Sequence, residues 1–260
     1  MNYEDLLLER KDGIATITLN APDKLNALTI KMRKSLLLAA DEVAKDDEVK
    51  VVIVTGAGRG FCSGADLSNT RAELSRYEHL QTLAPSYGAE AFFKLGKPVI
   101  GAINGTCVGA GFTLALSMDI RIASETARFG AVFVLRGLVP DCGTTYWLPK
   151  VVGTSKALEL MFTGEIIDAA EAERLGIVSH VVPHNELMKV AQELAHKIAQ
   201  QPPIAIELTK RIVYQSMIDD VAHHDVLESW AQQICNQTED CREAIRAFLE
   251  KRPQPQFKGK

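Results

Sequence analysis

The chain has 260 residues, of which 47% are hydrophobic and 24% are charged. Such a chain can bury one large core without disulfides or metal ions to stabilise it. Its 29 basic and 33 acidic residues give a net charge of −4, which argues against a broad nucleic-acid-binding surface. Five cysteines without zinc-finger spacing favour a reduced, cytoplasmic protein, and the histidines form no metal-ligand pattern. No apolar run approaches the roughly 20 residues of a membrane span.

Strands and helices alternate in the first half of the chain. A hairpin is predicted from Leu6 to Leu19, with the turn at Lys11-Asp12-Gly13. Hydrophobic periodicity then predicts a helix over 29–46, buried strands over 51–54 and 98–103, a helix over 109–117 and a strand over 119–123. This alternation favours an α/β fold with much parallel pairing.

The second half is mainly helical in pattern. Helices are predicted over 154–163, 169–175 and 186–200, and the long segment 203–250 also has helical periodicity. The polar segment 69–91 is interpreted as a solvated helix in preference to a lid. The tail, 251–260, is rich in Pro and Lys and is expected to be loose unless a ligand or a neighbouring subunit holds it.

Two glycine-rich turns follow two of the buried strands. They span residues 56–66 and 105–111, and glycine there implies tight turns or close backbone approach. A dinucleotide site is disfavoured, because the fingerprint requires its third glycine three residues after Gly58. That position is held by Phe61, and the nearest glycine is Gly60. Neither turn carries the Gly-Lys-Ser/Thr of a phosphate loop.

Both turns belong to a pattern that runs almost end to end through the chain. Its segments are 14–20, 26–28, 60–67, 97–105, 119–123 and 158–164. In order and spacing they resemble the crotonase (enoyl-CoA hydratase/isomerase) superfamily. The resemblance implies an α/β, crotonase-like spiral of repeated ββα units with a C-terminal helical subdomain. It also implies an acyl-CoA-binding core over 1–200, a trimerisation region over 201–260, and a homotrimer or dimer of trimers.

The resemblance also implies an oxyanion hole for the carbonyl of an acyl-CoA thioester. Its donors are expected to be the backbone N–H groups of Ala65 and Ala110, one from each glycine turn. Fixed donors of this kind stabilise an enolate where its charge develops. No cofactor is expected, since coenzyme A is part of the substrate. Residues expected to contact CoA or the acyl group are Lys24, Asn26, Ala27, Ser63, Asp66, Leu67, Gly109, Phe133, Pro140 and Thr144.

The resemblance indicates which reaction to expect. Where hydratases carry two glutamates, this chain has Thr113 and Phe133, so the paired carboxylates for addition of water are missing. Asp141, in a Pro-Asp-Cys-Gly stretch, is similar to the catalytic aspartate of the isomerase branch, particularly the epoxyphenylacetyl-CoA isomerases of phenylacetate degradation. Thr144 departs from that branch, which tends to have a second glycine there.

Asp141 is therefore the predicted acid/base of a double-bond shift or an epoxide rearrangement. Apolar neighbours such as Phe133, Val139 and Trp147 are expected to shield its carboxylate from water. Three alternatives remain open: enoyl-CoA hydration, another crotonase reaction such as hydrolysis, decarboxylation or dehalogenation, and acyl-CoA binding without catalysis. An aspartate after Pro140 could also serve only to cap a turn.

Overall fold

The computed structural model describes residues 3–66, 89–218 and 220–260. The described strands are β1 Leu6–Lys11, β2 Ile14–Leu19, β3 Val51–Gly56, β4 Gly60–Cys62, β5 Val99–Ile103, β6 Thr106–Val108, β7 Ile120–Ser124, β8 Arg128–Gly130, β9 Ile166–Asp168 and β10 His180–Val182. The described α-helices are α1 Ile30–Ala44, α2 Ala89–Lys94, α3 Ala110–Leu116, α4 Thr144–Val152, α5 Thr154–Thr163, α6 Ala169–Arg174, α7 Leu187–Ala199, α8 Pro203–Gln215, α9 Val221–Gln237 and α10 Glu239–Leu249. Short 3₁₀ helices lie at Pro22–Lys24, Val132–Arg136 and His184–Glu186.

The main sheet has six strands in the order β1-β2-β3-β5-β7-β10. The first two form the predicted antiparallel hairpin, and the remaining neighbours pair in parallel. Strand β3 is buried at all six of its residues, as expected where helices cover both faces of a parallel sheet. The predicted α/β class is thus confirmed.

A second sheet of four short strands carries the glycine turns. Its order is β4-β6-β8-β9, with β4, β6 and β8 parallel and β9 antiparallel to β8. Each of these strands has only three residues, which is too short to produce a periodic pattern. Strand β4 follows β3 and β6 follows β5, so the sheet places the two turns side by side.

The helices after residue 201 are anchored to the core by a buried charged group. The ammonium of Lys210 lies 2.8 Å from the carboxylate of Asp119 and donates to the carbonyls of Phe92 and Lys97 at 2.9 Å. The hydroxyl of Tyr214 donates to the same carboxylate at 2.7 Å. Burial lowers the pKa of Lys210 and raises that of Tyr214. Helix α8 is therefore tied to the start of strand β7, which Asp119 precedes.

The tail is held by its own chain, and the expectation that it is loose was wrong. The N–H groups of Lys258 and Gly259 donate to the buried carboxylate of Asp240 at 2.8 and 2.7 Å. The carbonyl of Lys260 accepts from the N–H of Glu239 at 2.7 Å, at the start of α10. The predicted solvated helix over 69–91 lies outside the described residues except for its last three positions. In the described part of the chain, none of the helices is both long and apolar enough for a membrane span.

Candidate active site

Asn26 holds the first glycine turn in place. Its side chain is fully buried, and its amide nitrogen donates to the carbonyls of Ala57 and Gly60 at 2.9 and 2.7 Å. The amide oxygen accepts from the N–H of Ala21 at 2.9 Å. Asn26 also has a φ of 56°, a left-handed conformation that asparagine tolerates better than most residues. Asn26 was predicted to contact CoA, but its side chain is used to hold the turn in place by hydrogen bonds.

Asn104 also holds the first glycine turn by hydrogen bonds from its side chain. Its amide oxygen accepts from the N–H of Gly56 at 3.1 Å. Its amide nitrogen lies within hydrogen-bond distance of the carbonyls of Gly58 and Gly60, at 2.9 and 3.2 Å. Because Asn104 directly precedes the second glycine turn, these hydrogen bonds connect the two turns.

The two turns approach each other so closely that side chains would not fit between them. A Cβ added to Gly64, whose φ is +100°, would lie 3.1 Å from the carbonyl oxygen of Val108 and 3.4 Å from the nitrogen of Ala110. At Gly111 a Cβ would lie 2.3 Å from the carbonyl oxygen of Cys62, which no real side chain tolerates. Glycine at these two positions is what allows the predicted donors to converge.

Both predicted donor groups lie at this junction. Ala65 forms a parallel bridge with Leu28, in which the neighbouring Gly64 and Asp66 make the hydrogen bonds. Ala110 is the first residue of α3, where backbone N–H groups have no partner within the helix. Within the described residues, neither the N–H of Ala65 nor that of Ala110 donates a hydrogen bond. Two such N–H groups can donate hydrogen bonds to an oxyanion.

The predicted CoA-contacting residues of the first turn lie around this junction. Lys24 pairs with Asp66 at 3.0 Å, and the Lys24 side chain is 57% exposed. The hydroxyl of Ser63 donates to the carbonyl of Lys24 at 3.1 Å, and Ala27 is buried next to them. Leu67 lies outside the described residues. An exposed cationic side chain of this kind is suited to binding phosphate.

On the second turn, Gly109 is the residue before α3. It has a φ of 56° and its N–H donates to the carbonyl of Gly130 at 2.9 Å. A Cβ added there would lie 3.8 Å from the side chain of Val132, so the 3₁₀ helix Val132–Arg136 packs beside the turn. Phe133 in that helix is 8% exposed. The site therefore has an apolar wall on this side.

Asp141 lies in the loop that leads into α4. The residue is exposed, and one of its carboxylate oxygens accepts from the thiol of Cys142 at 2.9 Å. Val139 is 75% exposed and Pro140 is partly exposed, whereas Trp147 is buried. The expectation that apolar neighbours shield this carboxylate was therefore wrong. In the described part of the chain, Asp141 is exposed and Val139 points to solvent. An exposed carboxylate is available to a ligand.

Two buried threonines connect this loop to α3. Thr113 and Thr144 are fully buried, and their hydroxyl groups are hydrogen-bonded to each other. The hydroxyl and the N–H of Thr144 both donate to the carbonyl of Asp141 at 2.9 Å. Thr144 thus lies behind the loop, not on an open surface, and α3 positions both Ala110 and the loop of Asp141.

Two buried cysteines lie beneath the turns. Cys62 in β4 and Cys107 in β6 are in register, and the structure contains both as free thiols. Burial raises the pKa of Cys62 to about 12 and that of Cys107 well above its ordinary value. Both thiols therefore stay protonated near neutral pH, and neither is suited to act as a nucleophile.

Sequence reasoning identified the two turns and Asp141 but gave no role to Asn104 or Thr113. Asn104 could have been singled out, since a buried amide directly after a buried strand must find hydrogen-bond partners. Thr113 offered no such signal, because its partner Thr144 lies 31 residues away in the sequence.

The two converging turns, the parallel main sheet and the terminal helices together define a crotonase-like fold. The sequence model of the family described as enoyl-CoA hydratase/isomerase matches residues 9–260. The chain is 39% identical, over the whole of both proteins, to the short-chain-enoyl-CoA hydratase of Clostridium acetobutylicum. It is 37% identical, over 99% of both chains, to the 1,2-epoxyphenylacetyl-CoA isomerase of Escherichia coli.

Solved structures agree with this assignment. The enoyl-CoA hydratase of Bacillus anthracis superposes with a TM-score of 0.92 at 33% identity, covering 99% of this chain and all of the other. The protein belongs to the enoyl-CoA hydratase/isomerase family, the crotonase superfamily, and is an enzyme of that family. Its relatives include proteins named as hydratases and as isomerases.

Proposed function

We propose that this enzyme is an acyl-CoA isomerase that shifts a double bond between the 2,3 and 3,4 positions of an enoyl-CoA, or rearranges an epoxide. Asp141 is the acid/base in this proposal. The observation that carries it is a contrast in side chains. In the described segment 133–144, Asp141 has the only exposed carboxylate. The two positions where hydratases carry glutamates hold the buried residues Thr113 and Phe133.

The alternative carboxylate at the junction is less suited to the task. Asp66 pairs with Lys24, and its side chain is only 9% exposed. A general base must reach the proton that it removes. Asp141 meets that requirement better, because its carboxylate is exposed on a loop that Thr144 connects to α3, the helix that begins at Ala110.

The reaction needs one carboxylate and two fixed donors. Starting from a 3-enoyl-CoA, Asp141 takes a proton from C2 and becomes a neutral acid. The electron pair moves onto the thioester oxygen, and the N–H groups of Ala65 and Ala110 stabilise the resulting dienolate. Asp141 then returns the proton at C4, which leaves the double bond between C2 and C3. Proton and electrons balance, so the proposed reaction uses no cofactor beyond the CoA of the substrate.

The acyl-CoA is proposed to lie across the first turn and α3. Lys24 is placed to meet the phosphates of CoA, while the backbone at Asn26, Ala27, Ser63 and Asp66 lines its pantetheine arm. Gly109, Phe133 and Pro140 lie on the side of the acyl group. The cationic, exposed end of Lys24 and the buried ring of Phe133 support this orientation, because phosphate requires charge and an acyl chain requires apolar surface.

The test is the identity of the product. The enzyme is incubated with a 3-enoyl-CoA and, separately, with a 2-enoyl-CoA, and the products are analysed by mass spectrometry and NMR. Isomerisation conserves mass and moves the double bond, so interconversion of the two substrates is the expected result. A product heavier by one water would identify a hydratase, which the 39% identical clostridial relative favours as the second candidate.

The role of Asp141 is tested in the same assay with Asp141→Asn. Asp12→Asn is the matched control, because it removes the same charge at the hairpin turn, at a φ of 52° that asparagine accepts. The control should isomerise at the wild-type rate, and Asp141→Asn should lose activity. Binding of both substrates without turnover by the wild type would instead indicate a non-catalytic acyl-CoA-binding protein.

We propose a homotrimer, or a dimer of trimers, assembled through the helical region 201–260. Large apolar side chains are exposed on its described helices and loops, among them Ile218 at 69%, Val221 at 84%, Trp230 at 60% and Phe248 at 82%. Exposed apolar surface of this extent is typical of an interface. Sedimentation should give three or six chain masses; a monomer at micromolar concentration would contradict this assembly.

A further inference from the structure

The hydrogen bonds of the two buried threonines form a chain that reaches the main chain of Asp141. Each hydroxyl has one hydrogen to donate. The hydroxyl of Thr144 donates to the carbonyl of Asp141 at 2.9 Å. Either oxygen can donate in the hydrogen bond between the two hydroxyls. The 2.9 Å contact of Thr144 with Asp141 is shorter than the 3.4 Å contact of Thr113 with the carbonyl of Gly109, which favours Thr113 as the donor between them. In the favoured arrangement, Thr113 donates to Thr144, and Thr144 donates to the main chain of Asp141.

This chain of hydrogen bonds joins the two halves of the candidate site. Thr113 lies three residues after Ala110, one turn along the same helix. Thr144 begins α4 directly after the loop of Asp141. Both side chains have no exposed surface, so water does not compete for their hydroxyls, and neither reaches an open surface where substrate could bind.

The loop itself needs such support. Cys142 and Gly143 both have positive φ values, 58° and 98°. Two successive residues in this region turn the chain sharply, and for Cys142 the conformation is strained. The turn packs between α3 and the ring of Trp147, because a Cβ added to Gly143 would lie 3.2 Å from Trp147 and 4.0 Å from Thr113.

We propose that Thr113 and Thr144 are positioning residues, which fix the main chain of Asp141 relative to the N–H donor of Ala110. This inference rests on the proposed isomerase function. Proton transfer is sensitive to the geometry of base and oxyanion donors, and displacements of about 1 Å cost up to about 100-fold in rate. Thr144 thus acts through Asp141, not through contact with the acyl group.

The test compares kcat and KM for a 3-enoyl-CoA in Thr113→Val, Thr144→Val and the double variant. Valine keeps the shape of threonine but removes the hydroxyl. Thr144→Val should lower kcat about 10-fold with KM changed less than about 2-fold. In the Thr144→Val background, replacing Thr113 should cost no further activity, since its acceptor has already gone. Thr113→Ser and Thr144→Ser keep the hydroxyls and should retain most of kcat.

Ser117→Ala is the matched control. Ser117 is also fully buried, and its hydroxyl donates to the carbonyl of Leu114 at 2.7 Å at the far end of α3, away from the loop. This variant should keep the wild-type kcat. If a valine variant does not fold, Thr113→Ala and Thr144→Ala replace it, with kcat measured per folded enzyme by active-site titration with a product acyl-CoA.

The outcomes separate this inference from the function on which it rests. An inactive wild type, or a fully active Asp141→Asn, overturns the proposed function and the positioning role with it. If Asp141 is required but both valine variants keep kcat within 2-fold, the positioning role alone is overturned. A change confined to KM, or independent losses that multiply in the double variant, would also overturn it, because these indicate substrate contact or unconnected effects.

Discussion

Replacement of Asn26 by alanine should weaken both the fold and the reaction. The buried side chain makes three hydrogen bonds, to Ala57, Gly60 and Ala21. A hydrogen bond contributes about 1 kcal/mol net, so the three together account for about 3 kcal/mol. Alanine in the left-handed conformation at φ 56° costs about 1 kcal/mol more. We therefore expect Asn26→Ala to lower the free energy of unfolding by about 4 kcal/mol.

Urea unfolding followed by circular dichroism, at one fixed protein concentration, measures this loss. Asn20→Ala is the matched control, because Asn20 lies in the same connection and its side chain makes no hydrogen bond within the described residues. The control should change the free energy of unfolding by less than about 1 kcal/mol. At temperatures where Asn26→Ala remains folded, its kcat should fall at least about 10-fold, since the first N–H donor is no longer fixed.

A loss of stability below about 1 kcal/mol in Asn26→Ala would refute this reasoning, since it would mean that the turn does not depend on the buried amide. A full loss of stability with an unchanged kcat would refute the connection between the turn and catalysis. Asn26→Asp gives a further check. It keeps the acceptor for Ala21 but places a carboxylate oxygen against the carbonyls of Ala57 and Gly60, so it should also be unstable.

Three further predictions concern stability and the tail. Burial raises the pKa of Cys62 from 9.0 to about 12, so the stability that this neutral thiol contributes is complete below pH 9 and is lost as pH rises towards 12. Between pH 8 and 10, wild type should lose about 1 kcal/mol more in urea unfolding than Cys62→Ala does, and equal losses would contradict this. Asp240→Ala removes the acceptor of two tail N–H groups, so trypsin should cut after Lys251 at least about 5-fold faster. An unchanged cleavage rate by mass spectrometry would contradict the anchoring of the tail by Asp240. Lys24→Ala breaks an ion pair whose lysine is 57% exposed and should cost less than about 1 kcal/mol in thermal unfolding, whereas a loss above about 2 kcal/mol would mean that the pair is effectively buried.

The elements that could be predicted from the sequence are those long enough to show a period. The helix Thr154–Thr163 begins and ends where its periodicity predicts, and Ile30–Ala44 lies inside its predicted range. The three-residue strands of the second sheet were missed, because pairing partners far along the chain determine them. Helix Thr144–Val152 was missed as well. It contains Pro149 near its end, and proline usually argues against a helix interior.

The candidate site was predictable where chemistry is local. Glycine turns carry their own signal, so the convergence of Gly64 on Ala110 follows from residues that sequence reasoning had singled out. The clamp by Asn104 and the hydrogen bond between Thr113 and Thr144 could not be predicted, because each needs the tertiary distance between separate segments. The exposure of Asp141 was mispredicted for a related reason: apolar neighbours in sequence, such as Val139, need not pack on it.

The most direct test of the central claim follows hydrogen exchange at the substrate. A 3-enoyl-CoA is converted in deuterated water by wild type, Asp141→Asn and the control Asp12→Asn, and deuterium at C2 and C4 is read by NMR. Because the acid proton on the exposed Asp141 carboxyl exchanges with solvent between its removal and its return, the account predicts deuterium at both carbons with wild type and the control. It also predicts a loss of about 100-fold or more in exchange and isomerisation with Asp141→Asn. Isomerisation by Asp141→Asn at the wild-type rate would contradict the assignment of Asp141 as the acid/base.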